Sequence, residues 1–364
     1  MAILTEGVAR HHAAIPALDG LRAAAIIIVM CSHIGLQRVV PGQFGVTLFF
    51  FLSGYLITTL LRAELQERGR IDFRRFYLRR VVRILPPMYI TIGFFVLLSL
   101  AGLIRPLAWW GLPFDFAFLT NYFPLSGTPI GLWSLAVEEH FYFAFPLTLA
   151  LLARRVSFAR CAAIFLGFCI VVLAVRVWEV SRLADFVDVN FWTHTRIDSI
   201  LFGSIMALWN NPVADDDNVL PVGVAGYVVA AALLIPTFLV RDEAFRQTYR
   251  YTIQGVGLMV LFNTAIRDTG LVCRLLNNGF TKHVAILSYT LYLVHSGLIQ
   301  AFTPNDDTHP LAPTLAALAL AVGYAMLMHR LVERPLSNWR RKIEKRRPDD
   351  KDGGMPVTKS APAA

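Results

Sequence analysis

The sequence predicts an all-α polytopic integral membrane protein with about ten transmembrane helices and both termini cytoplasmic. Three observations carry that prediction. The 364 residues are 56% hydrophobic and only 16% charged, where soluble domains carry about a quarter charged residues, and mean hydropathy is +0.54. Apolar runs near the ~20 residues needed to span a bilayer recur along nearly the whole chain. Arginine and lysine gather in alternate connections between the runs, as the positive-inside rule requires.

The apolar cores are 18–36, 44–61, 84–104, 133–153, 161–178, 196–210, 219–240, 252–266, 284–303 and 311–331, the sixth and eighth being short and interrupted by polar residues. Each is read as a helix, because backbone groups in lipid must bond within their own segment. The connection 62–83, "RAELQERGRIDFRRFYLRRVVR", is the most basic, and "ARR" at 153–155 and "ERPLSNWRRKIEKRR" are also basic. Placing these inside leaves about 26 of the 34 Lys and Arg on or near the inner side and about 8 on the outer side. The acidic "NPVADDD" also falls inside, but acidic residues weigh little in this rule. Residues 105–132, rich in Pro, Gly and aromatics, read as a re-entrant or interfacial loop with Trp109 and Trp110 at headgroup level.

Residues 1–17 are expected to form a cytoplasmic N-terminal segment without a signal-peptide pattern, 18–333 the membrane domain, and 334–364 a basic, then disordered, cytoplasmic tail. No internal repeat is evident. The pI of 9.6 does not imply nucleic acid, because the basic residues lie between apolar runs and not on a soluble face. Cys31, Cys161, Cys169 and Cys273 lack metal-ligand spacing and read as structural thiols, so no metal is expected.

Ionisable groups within spans are costly and raise functional candidates. The first helix holds Asp19, Arg22 and His33. Eleven residues at 100° each make three turns plus about 20°, so Arg22 and His33 face nearly the same way, about 16 Å apart along the axis. Arg22 also suits a snorkelling anchor, and His33 a helix–helix hydrogen bond. Arg79, Arg80 and Arg83 cluster at the start of the third run. Guanidinium forks suit a polyphosphate, as they suit topology signalling or anionic lipid. In the fourth run Ser134 and Glu138 share a face, near the outer leaflet. Arg196 and Asp198 enter the sixth run from outside, as a structural ion pair or as substrate contacts. Ser288, Tyr292 and His295 share a face of the ninth. Together these would suit a long anionic donor entering from inside and an acceptor approaching from outside or from the bilayer.

The stretches "LDGLRAAAIIIVMCSH", "FFFLSGYLIT", "RRFYLRRVVRILPPMY", "LWSLAVEEHFYFAFPL", "RIDSILFG", "LSYTLYLVH" and "VERPLSNWRRK", spanning residues 18–342 in this order, resemble the acyltransferase family 3 membrane proteins. His140 stands where that family often has glutamine and Gly297 where it often has proline. The resemblance implies a bacterial inner-membrane enzyme. It would move an acyl group, commonly acetyl, from acyl-CoA as donor substrate to a hydroxyl of a glycan or glycoconjugate, with no permanently bound cofactor. The family's motifs land on Arg22, His33, Arg80, Arg83 and Glu138. Arg80 and Arg83, with Arg22, would then hold the CoA phosphates. His33 would act as general base or acyl carrier, and Glu138 would orient His33 or bind acceptor. Arg196, Asp198 and His295 would contact substrate. Some members carry a fused esterase-like domain, which the short stretch after the last run is not expected to hold. A transporter or flippase of a lipid-linked saccharide is the alternative class, and a sensor or scaffold a third.

Overall fold

The computed structural model describes residues 15–123, 131–182, 188–303 and 310–345. Among these, every regular element is helical, and each of the ten sequence-predicted segments contains a helix. They are α1 Pro16–Cys31, α2 Gly42–Arg68, α3 Phe73–Leu100, α4 Trp133–Ala153, α5 Phe158–Arg182, α6 Thr193–Trp209, α7 Gly223–Leu234, α8 Tyr249–Arg267, α9 Gly279–Phe302 and α10 Leu311–Met328.

Seven of the ten are long and apolar enough to cross a membrane, namely α1 to α5, α9 and α10. The expected count of ten spans is therefore not reproduced, and α6 shows why. This helix of 17 residues is buried at nearly every position from Thr195 to Leu208, wrapped by α2, α5 and α8. A helix sheathed by protein needs no apolar face toward lipid, so it tolerates Arg196, Asp198, Ser199 and Ser204. By contrast α5 exposes Ile164, Leu166, Phe168, Ile170 and Val171, and α4 exposes Phe143, Leu147 and Leu151. Such apolar faces are costly in water and natural in lipid.

The contact between α2 and α6 is a backbone-to-backbone crossing. A Cβ added at Gly54 would lie 1.9 Å from the Ile200 carbonyl oxygen, and one at Gly203 2.0 Å from that of Phe51. Small residues let membrane helices approach this closely. Gly203→Ala is expected to lower stability by about 1–3 kcal/mol through overpacking, read as thermal unfolding of detergent-purified protein. Gly93→Ala is the control, because a Cβ there meets nothing within 4 Å.

Helices α3 and α10 run beyond their predicted limits in ways that bear on the site. The N-cap of α3 is Asp72, whose carboxylate accepts from the Arg75 backbone N–H at 2.9 Å. The helix therefore begins eleven residues before the apolar core, and Arg79, Arg80 and Arg83 lie two to three turns inside it. Pro86 and Pro87 are interior to α3 and do not start it. At the other end of the chain, α10 passes through a π-turn, His329–Glu333, into Arg334–Lys345. One helix thus runs through the expected boundary at 333/334. Glu333 ties it to α9, accepting from Thr290 Oγ1 at 2.6 Å and meeting His329 Nδ1 at 3.0 Å.

Trp109 and Trp110 are exposed at a short helical turn, a second short helix follows at Leu112–Phe116, and residues 124–130 of the expected 105–132 loop lie outside the described residues. So do most of the predicted N-terminal segment and the tail from 346 to 364. All four cysteines are free thiols.

Candidate active site

The end of α1 positions His33. After Cys31 the helix widens into a π-turn, Ser32–Leu36, which ends its helical geometry at Ile34 and at Gly35, where φ is 90°. The left-handed φ is accessible to glycine without a Cβ penalty. The chain then returns into α2 at close quarters, because a Cβ on Gly42 would lie 2.1 Å from Ser32 Oγ. His33 Nδ1 is 2.9 Å from the Val29 carbonyl oxygen. A carbonyl only accepts, so Nδ1 carries the proton of the neutral ring and Nε2 keeps a lone pair. That is the tautomer a general base needs.

His295 of α9 stands beside it, the two rings meeting edge to face with centroids 4.9 Å apart. His295 Nδ1 is 2.9 Å from the Leu291 carbonyl and 2.8 Å from that of Tyr292. Its tautomer is fixed in the same way, and its buried Nε2 has no partner among the described residues. Both rings line a cavity of about 620 Å³ with Ser32, Gln43, Trp133, Phe191, Ser296 and Gln300.

A second cavity, of about 540 Å³, holds the arginines. Arg22, Arg79, Arg80, Arg83 and Arg340 line it, and among the described residues the carboxylates facing them are Asp19 and Glu138. Arg22 lies 3.8 Å from Asp19. The Arg80 guanidinium sits 5.3 Å from the Tyr142 ring and 5.6 Å from the Phe76 ring, while the Tyr142 hydroxyl donates to Glu138 Oε2 at 2.5 Å. Ser53, Ser134, Ser288 and Tyr289 complete the polar lining.

Val46 and Tyr292 line both cavities. The Tyr292 hydroxyl is 2.5 Å from Ser134 Oγ and donates to the Gly131 carbonyl at 3.3 Å, so this ring bridges α9 and α4 at the junction. The expected single line from Arg22 to His33 is therefore divided. Arg22 lines the arginine cavity and His33 the other, and α1 loses its helical geometry only after His33, at Ile34 and Gly35.

Glu138 is expected near the outer leaflet, to orient His33 or bind acceptor; in the structure it shares the arginine cavity and does not line that of His33. The early start of α3 carries Arg80 and Arg83 deep enough to meet it. Arg196 and Asp198 line neither cavity and do not pair with each other. Asp198 is held by Arg176 of α5, at 3.2 and 2.9 Å. Arg196 stacks 3.5 Å over the Tyr251 ring and donates to Thr47 Oγ1 at 3.1 Å.

Sequence reasoning missed Arg340, Tyr142 and Ser53 in the arginine cavity. For Arg340 the usable signal was the helical continuation of the last apolar run, into which "NWRRK" follows without a break. The spacing of Ser288, Tyr292 and His295 did predict one inward face, and the structure divides it between the two cavities.

The family described as Acyltransferase domain matches residues 15–330. A protein of Staphylococcus aureus strain COL named "Putative O-acetyltransferase" is 30% identical over 90% of this chain and 59% of its own length. Bacillus subtilis YrhL, named "Putative peptidoglycan O-acetyltransferase", is 32% identical over 82% of this chain and 50% of its own. S. aureus O-acetyltransferase OatA is 26% identical over 88% and 57% respectively. The chain thus spans little more than half the length of these relatives. No solved structure matches it. With the family matched from the head of α1 into the π-turn of α10, and seven apolar helices able to cross a bilayer, the chain belongs to the acyltransferase family, as a bacterial integral membrane protein.

Proposed function

We propose that the chain is an O-acyltransferase that moves an acyl group, in the simplest case acetyl, from cytoplasmic acyl-CoA to a glycan hydroxyl at the inner membrane or its outer side. The observation that carries this reading is the pair of cavities meeting at Val46 and Tyr292, one holding Arg22, Arg80 and Arg83 and the other a histidine whose Nδ1 is engaged by the Val29 carbonyl. The names of the relatives supply the acetyl group and the glycan. Acyl-CoA phosphates bind Arg22, Arg80 and Arg83 through charge-assisted hydrogen bonds, with Arg79 and Arg340 beside them. The pantetheine arm passes the junction, which brings the thioester to His33. His33 Nε2 takes the proton of the acceptor hydroxyl as its oxygen attacks the thioester carbon. The C–S bond breaks, and the proton returns to the departing thiolate, giving O-acyl glycan and free CoA. The same His33 could instead carry the acyl group as a transient acyl-imidazole. Acyl label trapped on His33 without acceptor would select that route.

The test is transfer by purified protein from labelled acetyl-CoA to isolated cell-surface glycan, with release of one CoA per base-labile ester. Movement of the glycan across vesicles without CoA release would instead identify a transporter. Within that assay, Arg80→Gln and Arg83→Gln should each raise the KM for acetyl-CoA roughly 10- to 100-fold, as expected for a lost charge-assisted hydrogen bond, with a smaller change in kcat. An unchanged KM in both would remove these arginines from donor binding.

A further inference from the structure

The His33 cavity has an electrostatic character that acyl transfer alone does not require. Four arginines line it, Arg38, Arg241, Arg246 and Arg250, and among the described residues no carboxylate does. Arg246 has a partner in Glu243 at 2.9 Å, outside the lining. Arg250 is fixed in place, donating from Nη2 to the Tyr251 hydroxyl at 2.9 Å, and that buried phenol in turn donates to Asn190. Arg38 and Arg241 are exposed, and neither has a carboxylate within ion-pairing distance among the described residues.

Like charges converging on one cavity repel, and an anion placed among them relieves that repulsion. Guanidinium forks bind carboxylate and phosphate in particular. Donor phosphates already have five arginines around the other cavity, so this second set faces whatever approaches His33 from its own side. We infer that the His33 cavity selects an anionic acceptor, a glycan whose carboxylate or phosphate groups dock on Arg38, Arg241 and Arg250 while a neighbouring hydroxyl reaches His33. The inference rests on the proposed acyl-transfer reading, but its test reads binding and needs no chemistry.

The full chain, in nanodiscs of phosphatidylcholine, is titrated with two probes of equal length. One is the neutral N-acetylglucosamine tetrasaccharide and the other the carboxylated hyaluronan tetrasaccharide. The carboxylated probe should bind at least about tenfold more tightly at low salt. That preference should shrink at high salt and collapse in the double variant Arg38→Gln/Arg241→Gln, whose exposed side chains can be changed without disturbing the fold. Equal affinities, or a preference that survives the double variant, would overturn the inference. So would loss of co-purifying phosphatidylglycerol in that variant with an unaltered oligosaccharide preference, which would assign the arginines to lipid headgroups. Selective binding by a protein that fails to release CoA would leave the docking site standing and remove acyl transfer, so the two readings fail separately.

Discussion

His33→Ala should abolish acyl transfer while leaving acyl-CoA binding nearly intact. The two effects separate because His33 lines one cavity and Arg22, Arg80 and Arg83 the other. A positioned general base typically contributes about 10²–10⁴-fold, so kcat should fall by at least that factor. The KM for acetyl-CoA should move little, because Arg80 and Arg83, the proposed donor contacts, line the other cavity. The contact with Val29 sharpens the expectation. The carbonyl fixes the proton on Nδ1, so function depends on Nε2 and not merely on a ring in that place. Gln retains polarity but offers no basic nitrogen, so His33→Gln should be as inactive as the alanine variant. If His33 carries the acyl group covalently, both variants should also lose any acceptor-independent hydrolysis of acetyl-CoA. Transfer within a few-fold of the unmodified protein in both variants would exclude base and carrier roles together.

The sequence resolved the helices better than the membrane. Every predicted apolar run contains a helix, because a 20-residue apolar stretch has few other options in lipid. Hydropathy does not distinguish a helix facing lipid from one enclosed by others, and α6, with its buried Arg196 and Asp198, is of the enclosed kind. Hydropathy also misplaces helix ends where a polar turn continues an apolar one. The caps at Asp72 and the passage through His329–Glu333 extended α3 and α10 past their apolar limits. Those extensions bring Arg80, Arg83 and Arg340 into one cavity with Glu138.

The candidate site was legible as a set of residues and not as an arrangement. Spacing along one helix placed Ser134 with Glu138, and Ser288 with Tyr292, on common faces, and all four line the arginine cavity. Spacing along one helix gives a common face but not where one cavity ends and the next begins, so it could not divide Arg22 from His33. The pairing of His33 with His295 joins positions 262 residues apart in the chain, and no local pattern encodes it. The arginines of the His33 cavity come from the connection after α1, the connection before α8 and the first turn of α8, and in sequence they read only as the minority of basic residues on the outer side.

Asp198→Asn should damage folding and leave acceptor recognition unchanged in the protein that survives. Asp198 and Arg176 are both wholly buried. The carboxylate accepts two bonds from Arg176, which also donates to the Thr195 carbonyl at 2.7 Å and to Thr252 Oγ1 at 2.8 Å. Removing one charge of such a pair leaves the other uncompensated, typically at a cost of about 3–5 kcal/mol. Asparagine keeps the shape and one hydrogen bond but not the charge, so most of that penalty should remain. Replacing both partners at once, as Arg176→Met/Asp198→Leu, should recover much of the loss, because an apolar pair of similar volume carries no buried charge. A role in substrate binding predicts the reverse pattern, in which the double variant folds but its acceptor KM stays high. Thermal unfolding in detergent, paired with acceptor KM for both variants, separates the two. A stable Asp198→Asn protein with a raised acceptor KM would return Asp198 to the substrate site.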